Sequence, residues 1–283
     1  MFARAIFVSK IFLWNRILKE KYISLNDILR NLDFELEIVI LTALGVGGST
    51  IFGSLLGLIF RRTSRTFNDI SMSFAAGIML AAAIFGLIIP SLDYGGRFGF
   101  LFTVLGIFVG AFCLVVFDIL VAKSYSKWRI NGEVVDEKLR RVALFVTAIA
   151  IHNLPEGIAA GVGFFSEDPR GGIMIATAIA LQNIPEGMTV IVSMLGVGIN
   201  RSKTFLVAFL TGVVEIIGTF IGYYAANISI VILPFVLAFA GGTMLYVISE
   251  EMIPETHSGN NGRVSTYFLL VGFSLILVLS ALI

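Results

Sequence analysis

Apolar residues run along this chain in long stretches, and short polar breaks separate them. Eight stretches, at about 36–60, 71–92, 99–122, 142–165, 171–198, 204–226, 229–252 and 264–283, are long enough to span a bilayer. Roughly 20 residues at about 1.5 Å rise cross a hydrocarbon core about 30 Å thick. The breaks collect charges and turn formers: RRTSRTFND, DYGGRFG, SEDPRGG, GINRSK, AANIS and ETHSGNNGR, with a longer one between about 123 and 141. Such a pattern predicts an all-α integral membrane protein with eight transmembrane helices, because only helices or closed barrels satisfy their backbone inside lipid.

Residues 1–35 stand apart from this pattern and are set off from a membrane-spanning domain at 36–283. They hold six basic residues, and IFVSKIFLWNRIL is short and charged for a span. Arg4, Lys10, Arg16 and Lys19 also interrupt any signal-peptide core. Two readings stay open, an amphipathic helix lying in the interface or a ninth crossing that returns the N-terminus to the cytoplasm.

Basic residues in short loops orient a membrane protein. The loops 1–2, 3–4, 5–6 and 7–8 carry twelve: Arg61, Arg62, Arg65, Lys123, Lys127, Arg129, Lys138, Arg140, Arg141, Arg201, Lys203 and Arg263. The opposite loops carry two, Arg97 and Arg170. The first set is therefore expected in the cytoplasm, in a multi-pass protein of the cell membrane.

Composition agrees with the pattern. The chain is 57% hydrophobic and 14% charged, with mean hydropathy +0.95, against about 25% charged in soluble domains. A net charge of +1 gives no footing for nucleic acid as a partner. The lone Cys113 leaves no disulfide framework.

Polar residues within spans are costly and mark function. Most of those present fall in two copies of one hexapeptide, HNLPEG at 152–157 and QNIPEG at 182–187. His152 and Glu156 are i and i+4 and share a helical face, as do Gln182 and Glu186 on the next helix. Asn153 and Asn183 widen each polar face. Pro155 and Pro185 lack an N–H and crowd the preceding turn, which predicts a kink and freed carbonyls near Ile151 and Leu181. Gly157 and Gly187 permit close helix approach. Proline-kinked helices whose polar groups satisfy one another would explain a single copy. Two copies, each with an intramembrane glutamate and no Lys or Arg within either span, call for a cation or a proton. One imidazole, carboxylates and amide oxygens suit Zn²⁺, Fe²⁺ or Mn²⁺.

The paired hexapeptides, AAGIML on helix two, Glu215 on helix six and ISEEMIPETH closing helix seven make the chain resemble the ZIP (Zrt-/Irt-like protein) family of metal transporters, in its prokaryotic GufA-like branch. The resemblance covers about 36–283. It implies an inverted repeat of helices 1–3 and 6–8 with helices 4 and 5 between them, a 3+2+3 arrangement. It implies a binuclear midplane site. The first position would use His152, Glu156, Gln182 and Glu186 with Met79 nearby; the second, Asn153, Asn183, Glu215 and a bridging Glu186. Some relatives have Asp where Asn183 stands, so the second position is less anionic. Relatives often have His at Glu250, and a Glu250–Glu251 pair would still suit a cytoplasmic exit site. The cluster of Glu250, Glu251, Glu255 and His257 reads by itself either as a solvated helix end or as an exit-side metal relay. Asp118 reads equally as a guide for cations or as the interfacial end of its span.

The function this implies is uptake of a divalent metal toward the cytoplasm, zinc first, with iron, manganese or cadmium as alternatives. It implies transport rather than an enzyme activity and no organic cofactor; the metal ion and the lipid bilayer are the expected partners, and a homodimer is left open. Two rival classes compete with this reading. An intramembrane metalloprotease needs a second histidine near HNLPE, and the only other one is His257. A proton- or sodium-coupled carrier of an organic solute would use the glutamates as its ion site.

Overall fold

A computed structural model describes residues 25–60, 64–96, 99–126, 129–130, 133–134, 136–163, 169–228, 232–259 and 261–282. Among them, eight helices are long and apolar enough to cross a membrane. We number them α1 (Leu25–Ile59), α2 (Arg65–Tyr94), α3 (Gly99–Ser126), α4 (Glu137–Gly163), α5 (Pro169–Gly196), α6 (Arg201–Ile228), α7 (Leu233–His257) and α8 (Gly262–Leu282). The eight predicted spans are all present. Contacts divide the chain into Met1–Ile40 and Leu41–Ile283. Residues 1–24, on which the choice between an interfacial helix and a ninth crossing rests, lie outside the described residues.

Local chemistry moves several helix ends from their expected places. α2 starts at Arg65 rather than near 71 because the Ser64 hydroxyl accepts from the Phe67 N–H at 3.1 Å, satisfying an otherwise orphaned donor. The GVGIN turn after α5 needs Gly198 at φ 85°, in the left-handed region that favours glycine. Asn200 then caps α6 by accepting from the Lys203 N–H at 2.9 Å. α7 was expected to end near 252 but runs on to His257. A π-helical turn, Ile248–Met252, precedes Pro254 and carries the chain past it. A second π turn, Ala82–Ile88, precedes Pro90 in α2. Such turns absorb a residue and are frequent at functional sites. The α3–α4 connection contains a two-residue antiparallel pair, Arg129–Ile130 with Glu133–Val134, which the hydropathy pattern gave no sign of.

The interior belongs to α2, α7 and α5, with 67%, 61% and 56% of their spanning windows buried, whereas α3 and α8 are each 17% buried and form the rim. Inner helices carry small residues such as Ala75, Ala76, Ala81, Ala82 and Ala240, all fully buried. Small side chains let backbones approach closely, which is how helices associate where lipid removes the usual hydrophobic drive.

Helix pairing follows an inverted repeat. α3 packs on α7 as α8 packs on α2. A methyl group on Gly53 of α1 would collide with the carbonyl of Ile184 on α5; one on Gly218 of α6 would collide with that of Leu154 on α4. Likewise Gly187 lies against the carbonyl of Thr50, and Gly157 against that of Glu215. α1 thus serves the second hexapeptide as α6 serves the first. Thr50 and Glu215 are counterparts, 165 residues apart.

Candidate metal centre

Both hexapeptides lie near the middle of their helices, and Pro155 and Pro185 sit inside continuous helices. The first copy's face meets the second's. His152 Nε2 is 2.9 Å from Glu186 Oε1, and the Gln182 amide donates to Glu156 Oε1. Each motif therefore holds the other's glutamate. The residues are buried, with His152 5%, Glu186 4%, Gln182 1% and Glu156 0% exposed.

Glu215 on α6 gathers the remaining polar groups. Its Oε1 accepts from the Thr50 hydroxyl at 2.7 Å and the Asn153 amide at 2.6 Å. Its Oε2 accepts from the Asn183 amide at 2.8 Å, which also lies 3.3 Å from the Val46 carbonyl. The sequence reading placed Asn153, Asn183 and Glu215 together but missed Thr50. Threonine in a span is unremarkable by itself; the only signal for it was the faint repeat that aligns α1 with α6.

Hydrogen bonds leave a specific set of atoms without partners. Among the described residues, Glu156 Oε2, Gln182 Oε1, Asn153 Oδ1, Asn183 Oδ1 and His152 Nδ1 are buried and make no hydrogen bond. Four are oxygen acceptors, and an imidazole nitrogen accepts in one tautomer. Unsatisfied buried acceptors cost about 1–3 kcal/mol each, and buried carboxylates without a counter-charge cost more. A divalent cation would relieve both. Among the described residues, no three His, Cys, Asp or Glu side chains converge on one point as a ready cage. Amides of Gln182, Asn153 and Asn183 donate to the carboxylates of Glu156 and Glu215. Any metal bound here takes amide oxygens into its shell, or turns those amides.

One face of the centre opens into a cavity of about 600 Å³. Met79, His152 and Glu186 form its inner end; Asp118, Glu250, Glu251 and Glu255 line the way out. Among the described residues its lining has no Lys or Arg. Its mouth lies toward the α7–α8 connection at Ser258 and the C-terminal end of α3 at Ala122, the side that also bears the α1–α2 and α5–α6 connections. Glu250 and Glu251 stand within the π turn, more than a helical turn before the end of α7, rather than at a solvated terminus. Glu251 Oε2 lies 3.7 Å from His152 Nδ1. Tyr246 donates to Asp118 Oδ2 at 3.0 Å and so ties α7 to α3 beside the passage. His257, expected with the exit residues, turns elsewhere. Its ring lies 2.9 Å from the Ile253 carbonyl and 3.0 Å from the Thr266 hydroxyl on α8, and it does not line the cavity.

On the opposite side, a pocket of only about 50 Å³ is walled by Phe85, Pro90, Tyr94, Ile175, Leu233 and Leu237. The repeat relates the two π turns, so this apolar pocket is the counterpart of the large cavity.

Comparison with known proteins adds an independent line. A family model described as the ZIP zinc transporter matches residues 131–280. The chain is 36% identical to the zinc transporter GufA of Myxococcus xanthus over 246 residues, covering 85% of this chain and 96% of that one. It is 34% identical to zinc transporter ZIPB of Bordetella bronchiseptica over 243 residues, 82% and 76% of the two chains. It is 32% identical to zinc transporter ZupT of Chlorobaculum parvum over 268 residues, 87% and 98% of the two.

Proposed function

The chain belongs to the ZIP family of zinc transporters, in its GufA-like branch, and from that premise we propose that it carries Zn²⁺ into the cytoplasm through the buried centre between α4 and α5. It is a multi-pass membrane transporter and not an enzyme. The metalloprotease and the organic-solute carrier are set aside with that membership.

The observation that carries the reading is the contact of His152 Nε2 with Glu186 Oε1 at the closed end of an acidic cavity. The first metal position is formed by His152, Glu156, Gln182 and Glu186, with the Met79 thioether at its edge. The second shares Glu186 and adds Asn153, Asn183 and Glu215. One imidazole nitrogen among oxygen donors favours zinc over harder ions, although Fe²⁺, Mn²⁺ and Cd²⁺ fit the same donors.

Transport proceeds by alternating access within the unit 36–283. The carboxylate-bearing cavity on the basic-loop side and the small apolar pocket opposite it support a cytoplasm-open arrangement. In the repeat-related arrangement the two would exchange sizes around a fixed midplane site, as in other inverted-repeat carriers. Metal leaving the first position meets Glu251, then Glu250, Asp118 and Glu255, whose carboxylates lower the barrier for a cation in a low-dielectric channel.

The test is radiozinc uptake into proteoliposomes, with wild type beside Glu186→Ala. Loss of at least about tenfold in initial rate is expected, as metal sites lose about 10–100-fold even from outer-shell changes. Equal rates would refute the shared-ligand role.

A further inference from the structure

Thr50 bonds to the buried polar centre from α1, a helix that carries neither hexapeptide, and its side chain has no charge. Thr50 is 1% exposed, and its hydroxyl donates to Glu215 Oε1 at 2.7 Å. Its backbone is fixed from two sides. The Ser54 hydroxyl donates to the Thr50 carbonyl at 2.8 Å, and Gly187 of the second hexapeptide lies against that same carbonyl. The repeat-related place on α6 is built alike: Thr219 donates to the Glu215 carbonyl at 2.9 Å, and Gly157 lies against it. Two equivalent backbone sites thus hold a hydroxyl donor on α1 and a carboxylate acceptor on α6, facing each other. A strict repeat would put two carboxylates, or two hydroxyls, at this contact. The chain pairs a donor with an acceptor instead.

The division of donors over the carboxylate matters for a cation. Oε1 takes Thr50 and Asn153, while Oε2 takes only the Asn183 amide. Asn183 Oδ1 is buried and makes no hydrogen bond among the described residues, so turning that amide gives up only what its nitrogen donates, to Glu215 Oε2 and, at 3.3 Å, to the Val46 carbonyl. The turn frees Oε2 and presents Oδ1 on the same side. The Thr50 bond to Oε1 is untouched by this change. We infer that Thr50 is the positioning residue for Glu215 in the second metal position: it anchors Oε1 so that Oε2 is the oxygen offered to a cation once Asn183 turns. This rests on the midplane reading above and extends it to a residue on α1. Outer-shell hydrogen bonds of this kind orient a ligand, and losing one costs about 10–100-fold in metal affinity.

The experiment uses the full chain in nanodiscs, with bound Zn²⁺ and Cd²⁺ counted after equilibrium dialysis. Wild type, Thr50→Val, Thr50→Ser and Glu186→Ala are compared, each with a thermal melt to report folding. Valine keeps the shape and removes the hydroxyl; serine keeps the hydroxyl and removes a methyl. Wild type is expected to bind two equivalents. Thr50→Val should weaken the second by about 10–100-fold and leave the first in place, while Thr50→Ser recovers most of the loss. A Thr50→Val isotherm that overlays wild type overturns the inference. So does a serine variant as weak as valine, because packing would then be the cause. One equivalent in wild type removes the second position, and Thr50's role with it, while the first position stands. Two equivalents retained by Glu186→Ala would instead refute the midplane reading itself.

Discussion

His152 faces two carboxylates with its two nitrogens: Nε2 lies 2.9 Å from Glu186 Oε1, and Nδ1 lies 3.7 Å from Glu251 Oε2. Glu186 belongs to the buried centre and Glu251 to the wall of the cavity. One imidazole therefore borders both the place where a metal would rest and the route by which it would leave. Its position makes His152 the residue most able to set selectivity, and Glu251 the one most able to set release.

His152→Asn replaces the only nitrogen among the proposed ligands by an amide oxygen. Zinc uptake is expected to fall by about tenfold or more while Mn²⁺ falls less, since imidazole favours Zn²⁺ and oxygen donors favour harder ions. Competition between radiozinc and unlabelled Mn²⁺ measures the change, and an unaltered preference order would contradict the assignment.

Glu251→Ala leaves the buried centre's own side chains in place and removes the nearest carboxylate on the way out. The maximal uptake rate is expected to drop several-fold with a smaller change in KM, because release slows more than loading. Initial rates over a range of Zn²⁺ concentrations separate the two, and a pure KM effect would move Glu251 from the exit to the binding step.

Metal must displace protons from His152 and from any protonated glutamate before binding. Proton competition therefore weakens binding as pH falls, since deprotonated ligands are the ones that bind metal. Uptake should decline as pH falls from about 7.5 to 5, because protons compete with the metal for its ligands. Rates that stay flat over this range in liposomes with matched internal and external pH would count against the ligand set.

Gly187→Ala puts a methyl group into the carbonyl of Thr50. Overpacking of this kind costs about 1–3 kcal/mol, so the variant should melt at lower temperature and transport poorly. Gly48→Ala on α1, where a methyl group meets nothing within 4 Å, is its control. Melting in detergent checks both, and equal melting points would mean that α1 and α5 are farther apart than this packing requires.

The cavity mouth provides a test of orientation. Ser258→Cys in a Cys113→Ser background should react with a membrane-impermeant thiol reagent from the cytoplasmic side and be protected from the other. Labelling from outside the cell would reverse the topology.

Much of this protein is written along its chain. Twenty-residue apolar runs specify spanning helices because lipid offers the backbone no alternative partner, and α1 to α8 appear where those runs lie. The paired hexapeptides marked His152, Glu156, Gln182 and Glu186 through simple helical periodicity, since residues four apart share a face. Other features depended on residues distant in sequence. α7 continues past Pro254 because a π turn absorbs the mismatch, and this placed Glu250 and Glu251 in the cavity wall rather than at a frayed end. His257 was drawn to Thr266 on α8, a contact that no local pattern encodes. Thr50 became part of the centre only because Gly187 and Gly53 bring α1 against α5, setting a hydroxyl beside a carboxylate 165 residues away. Periodicity determines which face of a helix is polar. Which faces meet, and which atoms are left without partners when they do, depends on backbone approach between helices, and that is decided only when the whole bundle packs.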